Sequence, residues 1–178
     1  ENNITNCCDG GFSIMSELRT NRIVPRDGLP SGSAGGIIQI KQTVVTEDTF
    51  TTSSTNTAVD ITGLNVTITP TRSDSKILVS GTINHNVDNA CACIWILLRG
   101  STEIPTNSEP DPSGICGATF NSNRANTISF EYLDDPATTS ATTYKVQVYL
   151  RDSTTYQLNR RVNTYNAAST LTAMEVSG

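Results

Sequence analysis

His85 is the chain's one histidine, and an imidazole is the side chain best suited to general-base work near neutral pH. It stands in Ile83-Asn84-His85-Asn86, and a Ser-His-Asp arrangement could be gathered around it from distant residues. Nothing marks a nucleophile: there is no Gly-x-Ser-x-Gly elbow and no cysteine in a reactive setting. His85 therefore reads as a loop or strand-end residue. Paired carboxylates can cleave glycosides. Asp134 and Asp135, however, are adjacent and precede Pro136, which reads as a turn. Asp88, Glu109 and Asp111 fall in loop-like segments and lack the ligand spacing of a calcium loop. No phosphate-binding or dinucleotide fingerprint is present, because Gly35-Gly36 opens no helix. The expectation is a chain that is not an enzyme, with no cofactor and no metal site.

The cysteines give the same answer. There are five, Cys7, Cys8, Cys91, Cys93 and Cys116, and an odd number does not suggest a fully paired secreted framework. Cys91 and Cys93 sit at i and i+2 in an apolar run, so they share one strand face as small buried hydrophobes. One histidine and no second well-spaced pair make zinc a poor reading. Cys7-Cys8 reads either as a cross-link to a neighbouring subunit or as a mobile terminal thiol pair.

Composition narrows the class. The 178 residues are 36% hydrophobic and 16% charged, and the polar remainder is Thr, Ser and Asn. A disordered chain carries more charge and fewer β-branched residues. Thr, Val and Ile favour pleated strands, since a branched Cβ packs well on a sheet. A net charge of -5 argues against a nucleic-acid partner, which needs a basic patch. No apolar run approaches the roughly 18 residues of a membrane span, so no membrane insertion is expected.

Residues 1–36 differ from the rest. Pro25 and Pro30 fix their φ angles, Asp27-Gly28 marks a turn, and residues 31–36 are small and flexible. This arm has little core of its own, so Leu18, Ile23, Val24 and Leu29 are expected to bury against something else and anchor it. Met15-Ser16-Glu17 reads as a translation start, which would make residues 1–14 an upstream extension or a tag remnant. Residues 37–178 then form the head. There, apolar and polar residues alternate in strand after strand: Leu64, Val66, Ile68; Ile77, Val79, Gly81, Ile83; Ile128, Phe130, Tyr132; Tyr144, Val146, Val148, Leu150; and residues 171–176. Turn-formers separate them at 69–75, 84–89, 105–114 and 134–140, and no window carries a helix start, stripe and stop. The predicted fold is all-β, an antiparallel β-sandwich or jelly roll with an extended N-terminal arm.

Two features bear on partners. The run from Cys91 to Leu98 is apolar on both faces. Cys91, Cys93, Trp95 and Leu97 can line a core, which leaves Ala92, Ile94, Ile96 and Leu98 needing a second cover. That cover is either a neighbouring subunit, which makes Ile94, Ile96 and Leu98 a candidate interface, or another part of the same chain. Ile37, Ile38 and Ile40 either close several chains together at a neck or form an ordinary core strand. Among the five tyrosines, Tyr156 and Tyr165 flank the polar stretch 157–163 and are the candidates for receptor contact, with a core or edge position as the competing reading.

The segment Met15-Ser16-Glu17-Leu18-Arg19-Thr20-Asn21-Arg22-Ile23-Val24-Pro25 resembles the N-terminal start of virion structural proteins of cyanobacterial and marine bacteriophages. Gly35-Gly36-Ile37-Ile38-Gln39-Ile40-Lys41-Gln42-Thr43 is similar to the segment that opens their distal β-domain. Ser73-Asp74-Ser75-Lys76-Ile77-Leu78-Val79, Leu98-Arg99-Gly100-Ser101-Thr102-Glu103-Ile104, Tyr132-Leu133-Asp134-Asp135-Pro136-Ala137 and the ending Leu171-Thr172-Ala173-Met174-Glu175-Val176 resemble the same group. The likeness covers nearly all of residues 15–178; the first 14 depart from it. It implies a homotrimer with a β-sandwich head and an arm docked on the particle, exposed to the extracellular medium. The implied role is a short tail or head fibre whose partners are itself, capsid or tail proteins and a host-surface glycan. Two alternatives stand beside it: a capsid cement or decoration protein, and a lectin-like carbohydrate-binding module.

Overall fold

A computed structural model describes residues 36–47, 50–106, 113–161 and 165–177, without the side chains of Arg161, Tyr165 and Asn166. Among these residues every regular element is a strand, and every strand-to-strand ladder is antiparallel. In chain order they are β1 (Ile37–Val45), β2 (Thr51–Thr52), β3 (Ala58–Ile68), β4 (Lys76–Val87), β5 (Cys91–Arg99), β6 (Thr102–Ile104), β7 (Cys116–Phe120), β8 (Asn126–Asp134), β9 (Thr142–Leu150), β10 (Tyr156–Leu158), β11 (Arg160–Arg161), β12 (Tyr165–Asn166) and β13 (Ser169–Val176).

Two sheets face each other. The first runs β1-β13-β4-β8. β13 leaves β4 after Thr82, and β10 takes over the vacated edge from His85 to Val87, bringing β2 with it. The second runs β3-β9-β5, with β7 and then β6 sharing the far edge of β5. β11 and β12 form a separate small ribbon.

The period-two alternation decides which side chains meet between the sheets. Ile77, Val79 and Ile83 of β4, Leu171 and Ala173 of β13, Tyr144, Val146, Val148 and Leu150 of β9, and Leu64, Val66 and Ile68 of β3 are all buried. Each large apolar side chain sealed this way contributes about 1.5–3 kcal/mol of transfer free energy. Gly81 is part of this design: its partner across β8 is Phe130, whose ring lies 2.5 Å from where a Cβ would stand. The ring covers the gap that the glycine leaves.

Several expectations need correction. The segment 84–89 is not a loop, because β4 continues through Val87 and only residues 88–90 turn. The outer face of β5 is not left for a neighbour. Ile96 and Leu98 are buried within the single chain, and Ile94 is half-buried against Gly114 and Gly117. The return of the chain over β5 is the physical reason at Ile94, for Gly114 passes so near the Trp95 carbonyl that a Cβ there would collide with it. Leu18, Ile23, Val24 and Leu29 lie outside the described residues.

Candidate functional site

Of the two positions its sequence context suggested, His85 takes the strand end, third from the last residue of β4, and not the loop. It is an inward-facing residue of β4, almost wholly buried. Its ring is 4.8 Å from that of Trp95, 4.6 Å from Phe120 and 5.3 Å from Tyr156, with the tyrosine stacked nearly parallel. The Trp95 indole N–H donates to the Tyr156 hydroxyl at 3.2 Å, and Phe50 meets Tyr156 edge-on. Neither ring nitrogen of His85 has a hydrogen-bond partner. Burial lowers its pKa from 6.5 to about 4, so the imidazole is neutral at physiological pH. A general base must be within hydrogen-bond reach of the proton it takes; this one is sealed by aromatic rings and paired with no hydroxyl or carboxylate. A cavity of about 220 Å³ borders the same stretch, lined also by Asn84, Thr127, Asn159 and Arg160. Its polar walls are engaged with the protein: Thr127 donates to the Asn84 side chain, and Asn159 donates to the Val45 and Glu47 carbonyls.

For Tyr156, which flanks the polar stretch 157–163, the same geometry decides between its two readings. It is fully buried, as is Leu158, so the core position holds and the receptor-contact reading does not. Asn159, two residues inside that stretch, is buried as well. It adopts a left-handed φ of 58°, and its side chain accepts from the Ser169 hydroxyl at 2.6 Å. Polarity misled here, because a buried amide that satisfies several backbone and hydroxyl groups is indistinguishable in sequence from an exposed one. The side chain of Tyr165 lies outside the described residues.

The adjacent carboxylates Asp134 and Asp135 are held by different cations. Asp134 ends β8, is buried, and accepts Arg99 Nη1 at 3.0 Å and the Tyr144 hydroxyl at 2.7 Å. Burial, with that hydrogen bond, raises the Tyr144 pKa. Asp135 pairs instead with Lys76, which lowers its pKa, and its carbonyl accepts a second bond from Arg99 at 3.0 Å. A third carboxylate escaped sequence reasoning. Glu175, inward-facing on β13, accepts Gln39 Nε2 at 2.6 Å and both the amide and hydroxyl of Thr71 at 2.7 Å. Burial alone would raise its pKa, but these donors outweigh that and hold it at about 2. The same Gln39 amide also reaches the Thr69 carbonyl at 2.7 Å. Among the described residues no three His, Cys, Asp or Glu side chains gather as a metal site would require.

The cysteines behave as small hydrophobes. Cys91 and Cys93 are buried on the inner face of β5, Cys116 is half-buried, and all three are free thiols. Burial raises Cys93 strongly and Cys116 to about 11.

Among the outward residues, most of them polar, five large apolar side chains stand out. Ile37, Ile38, Ile40 and Val44 of β1 are 60%, 43%, 55% and 50% exposed, and Leu133 of β8 is 56% exposed. The core-strand reading of the isoleucines is therefore corrected: Ile38, Ile40 and Val44 point away from the sandwich, and among the described residues β1 pairs with β13 alone. Among the described residues β1 is an edge strand, the kind of element on which sheets associate. The described head is thus an all-β sandwich in which a few buried polar side chains serve as internal pins and the exposed large apolar side chains gather chiefly on β1.

No family model matches the chain, and no curated protein matches it. Loose similarity is found among solved structures of infectious bursal disease virus. The Gx strain structure is 13% identical over 79% of this chain and 40% of that one, with a TM-score of 0.42. The T13 viral particle gives 13%, 79%, 38% and 0.44, and the VP2 subviral particle 13%, 80%, 38% and 0.33. The chain spans about two-fifths of the length of those proteins. Neither identity nor superposition is close enough to carry a role from them to this chain.

Proposed function

We propose that the chain is a non-enzymatic structural protein of a bacteriophage particle, a short tail or head fibre anchored through residues 1–36 and displaying the β-sandwich. The observation that carries this reading is where the phage-like segments meet. Gln39 of the Gly-Gly-Ile-Ile-Gln segment bonds Glu175 of the C-terminal one. Lys76 and Arg99, from two further segments, pair with Asp135 and Asp134 of a fifth. Residues that bear the resemblance are thus the pins of the head, as suits a structural protein. The sealed, unpaired His85 favours the same reading over an enzyme.

Capsid decoration is a second reading, supported by an exposed apolar edge that could seat on a shell as well as on a like chain. Gold-labelled antibody against the purified chain, applied to purified particles, tests the proposal. Label at the tail or on capsid-borne fibres is expected. Uniform label over the shell would favour decoration, and label confined to host cells would overturn both.

A further inference from the structure

Asn86 and Gln157 face each other across the β4-β10 ladder, and Asp88 follows one residue past the end of β4. The Asn86 carboxamide is wholly buried, yet its bonding is lopsided. Nδ2 donates to Asp88 Oδ1 and to Gln157 Oε1, both at 3.3 Å, beyond the usual range for such bonds. Oδ1 has no partner among the described residues. A buried acceptor left unpaired is costly and calls for an explanation, such as an ion. Half a turn of the carboxamide about its last bond exchanges the two atoms. Oδ1 then stands about 3.3 Å from each of the other two oxygens, and three oxygens converge with no hydrogen between them. Two amide oxygens and a carboxylate gather in that way around a cation.

We propose that Asn86 Oδ1, Asp88 Oδ1 and Gln157 Oε1 bind a calcium-sized divalent cation, which fastens β10 to the end of β4. Size selects the ion. Two ligands at right angles around calcium, with bonds of about 2.3–2.6 Å, lie about 3.3–3.7 Å apart; around magnesium, with bonds of about 2.0–2.1 Å, they lie about 2.9 Å apart. The spacing at Asn86 matches the first. Donor chemistry agrees, since one carboxylate and two amide oxygens suit a hard cation and offer nothing soft to a transition metal. The cluster of acidic and imidazole side chains that a tightly held metal requires is absent among the described residues, so the affinity is modest. One carboxylate, with water completing the shell, places half-saturation at about 1 mM, the weak end of calcium sites. The carboxylate is positioned beforehand: the Asp88 amide donates to the Thr155 carbonyl at 3.1 Å, and the Asn89 amide to the Thr154 hydroxyl at 2.9 Å. Asp88 and Gln157 are half-buried, so an ion can enter from solvent without opening the sandwich. The site belongs to the head alone and is independent of a particle role.

The test uses the full chain. Its melting temperature is followed up to about 10 mM calcium chloride, with equal magnesium chloride and with sodium chloride at matched ionic strength as controls. About ten times the half-saturating concentration lowers the unfolding constant about tenfold, which raises the melting temperature by about 3–6 °C. Magnesium is expected to give less than half of that rise. Asp88→Asn keeps the shape of the side chain and is expected to lose the calcium effect. Asn86→Asp places a second carboxylate at the same point. Without calcium it is expected to melt below the wild type; with calcium it is expected to bind about tenfold tighter, a gain that a merely structural asparagine would not give. The absence of a calcium-specific rise in the wild type overturns the proposal. So does an equal rise with magnesium, a rise that Asp88→Asn retains, or a folded Asn86→Asp with no gain in calcium affinity. Asp88 is half-buried and lies outside the strand, so Asp88→Asn should fold and decide the matter even where Asn86→Asp does not.

Discussion

Gln39 and Glu175 meet at 2.6 Å across 136 positions of sequence, and their contact fastens the edge strand β1 to the centre of its sheet. The carboxylate is buried without a cation and stabilised by donors alone. Gln39→Ala removes one donor and leaves the charge with Thr71. We expect a loss of about 1–2 kcal/mol, read as a lower urea midpoint with unchanged slope.

His85 makes the head acid-sensitive. In the unfolded chain an imidazole takes a proton near pH 6.5; in the folded head it does so only near 4. Between those values the unfolded state holds the extra proton, so stability falls as pH drops through the window, by about 3 kcal/mol in all. Glu175 adds a second loss: its folded pKa is depressed to about 2, so the stability it contributes above its unfolded value of 4.5 is lost as pH falls towards 2. Melting temperatures from pH 7 to pH 4 should decline for the wild type. A His85→Phe variant should decline less over that window, since the replacement carries no proton.

Arg99 holds two adjacent residues of one turn, the Asp134 carboxylate and the Asp135 carbonyl. Arg99→Met leaves Asp134 buried with only Tyr144 as donor. The expected cost is about 2 kcal/mol, seen in chemical denaturation, and Arg99→Lys should recover only part of it, because an ammonium cannot reproduce the guanidinium geometry.

Two glycines are expected to differ in tolerance. Gly81→Ala pushes against the Phe130 ring, a side chain that can shift, whereas Gly114→Ala pushes against the Trp95 backbone. Thermal melting should show a cost of about 1–3 kcal/mol for Gly114→Ala and a smaller one for Gly81→Ala.

Much of this architecture was legible in the sequence. The alternation of Tyr144, Val146, Val148 and Leu150, and of Leu64, Val66 and Ile68, placed the core correctly because period two has one physical reading when one face is buried. Cys91 and Cys93 were recognisable as core residues for the same reason. The polar interior was not legible. His85, Asp134, Asn159 and Glu175 look like loop or surface residues until their partners are known, and those partners lie 10 to 136 positions away. Tyr156 kept two readings, core and surface, because its neighbours Gln157 and Asn159 suggested solvent, when Asn159 is a buried link. Asn86 and Gln157 could not be joined by reading along the chain, since they meet only through the register of the β4-β10 ladder.

Imaging of the intact particle at subunit resolution tests the account most directly. The account predicts β-sandwich density on the outside of the shell or tail, joined to the particle through residues 1–36. Particles that lack this chain altogether would contradict it.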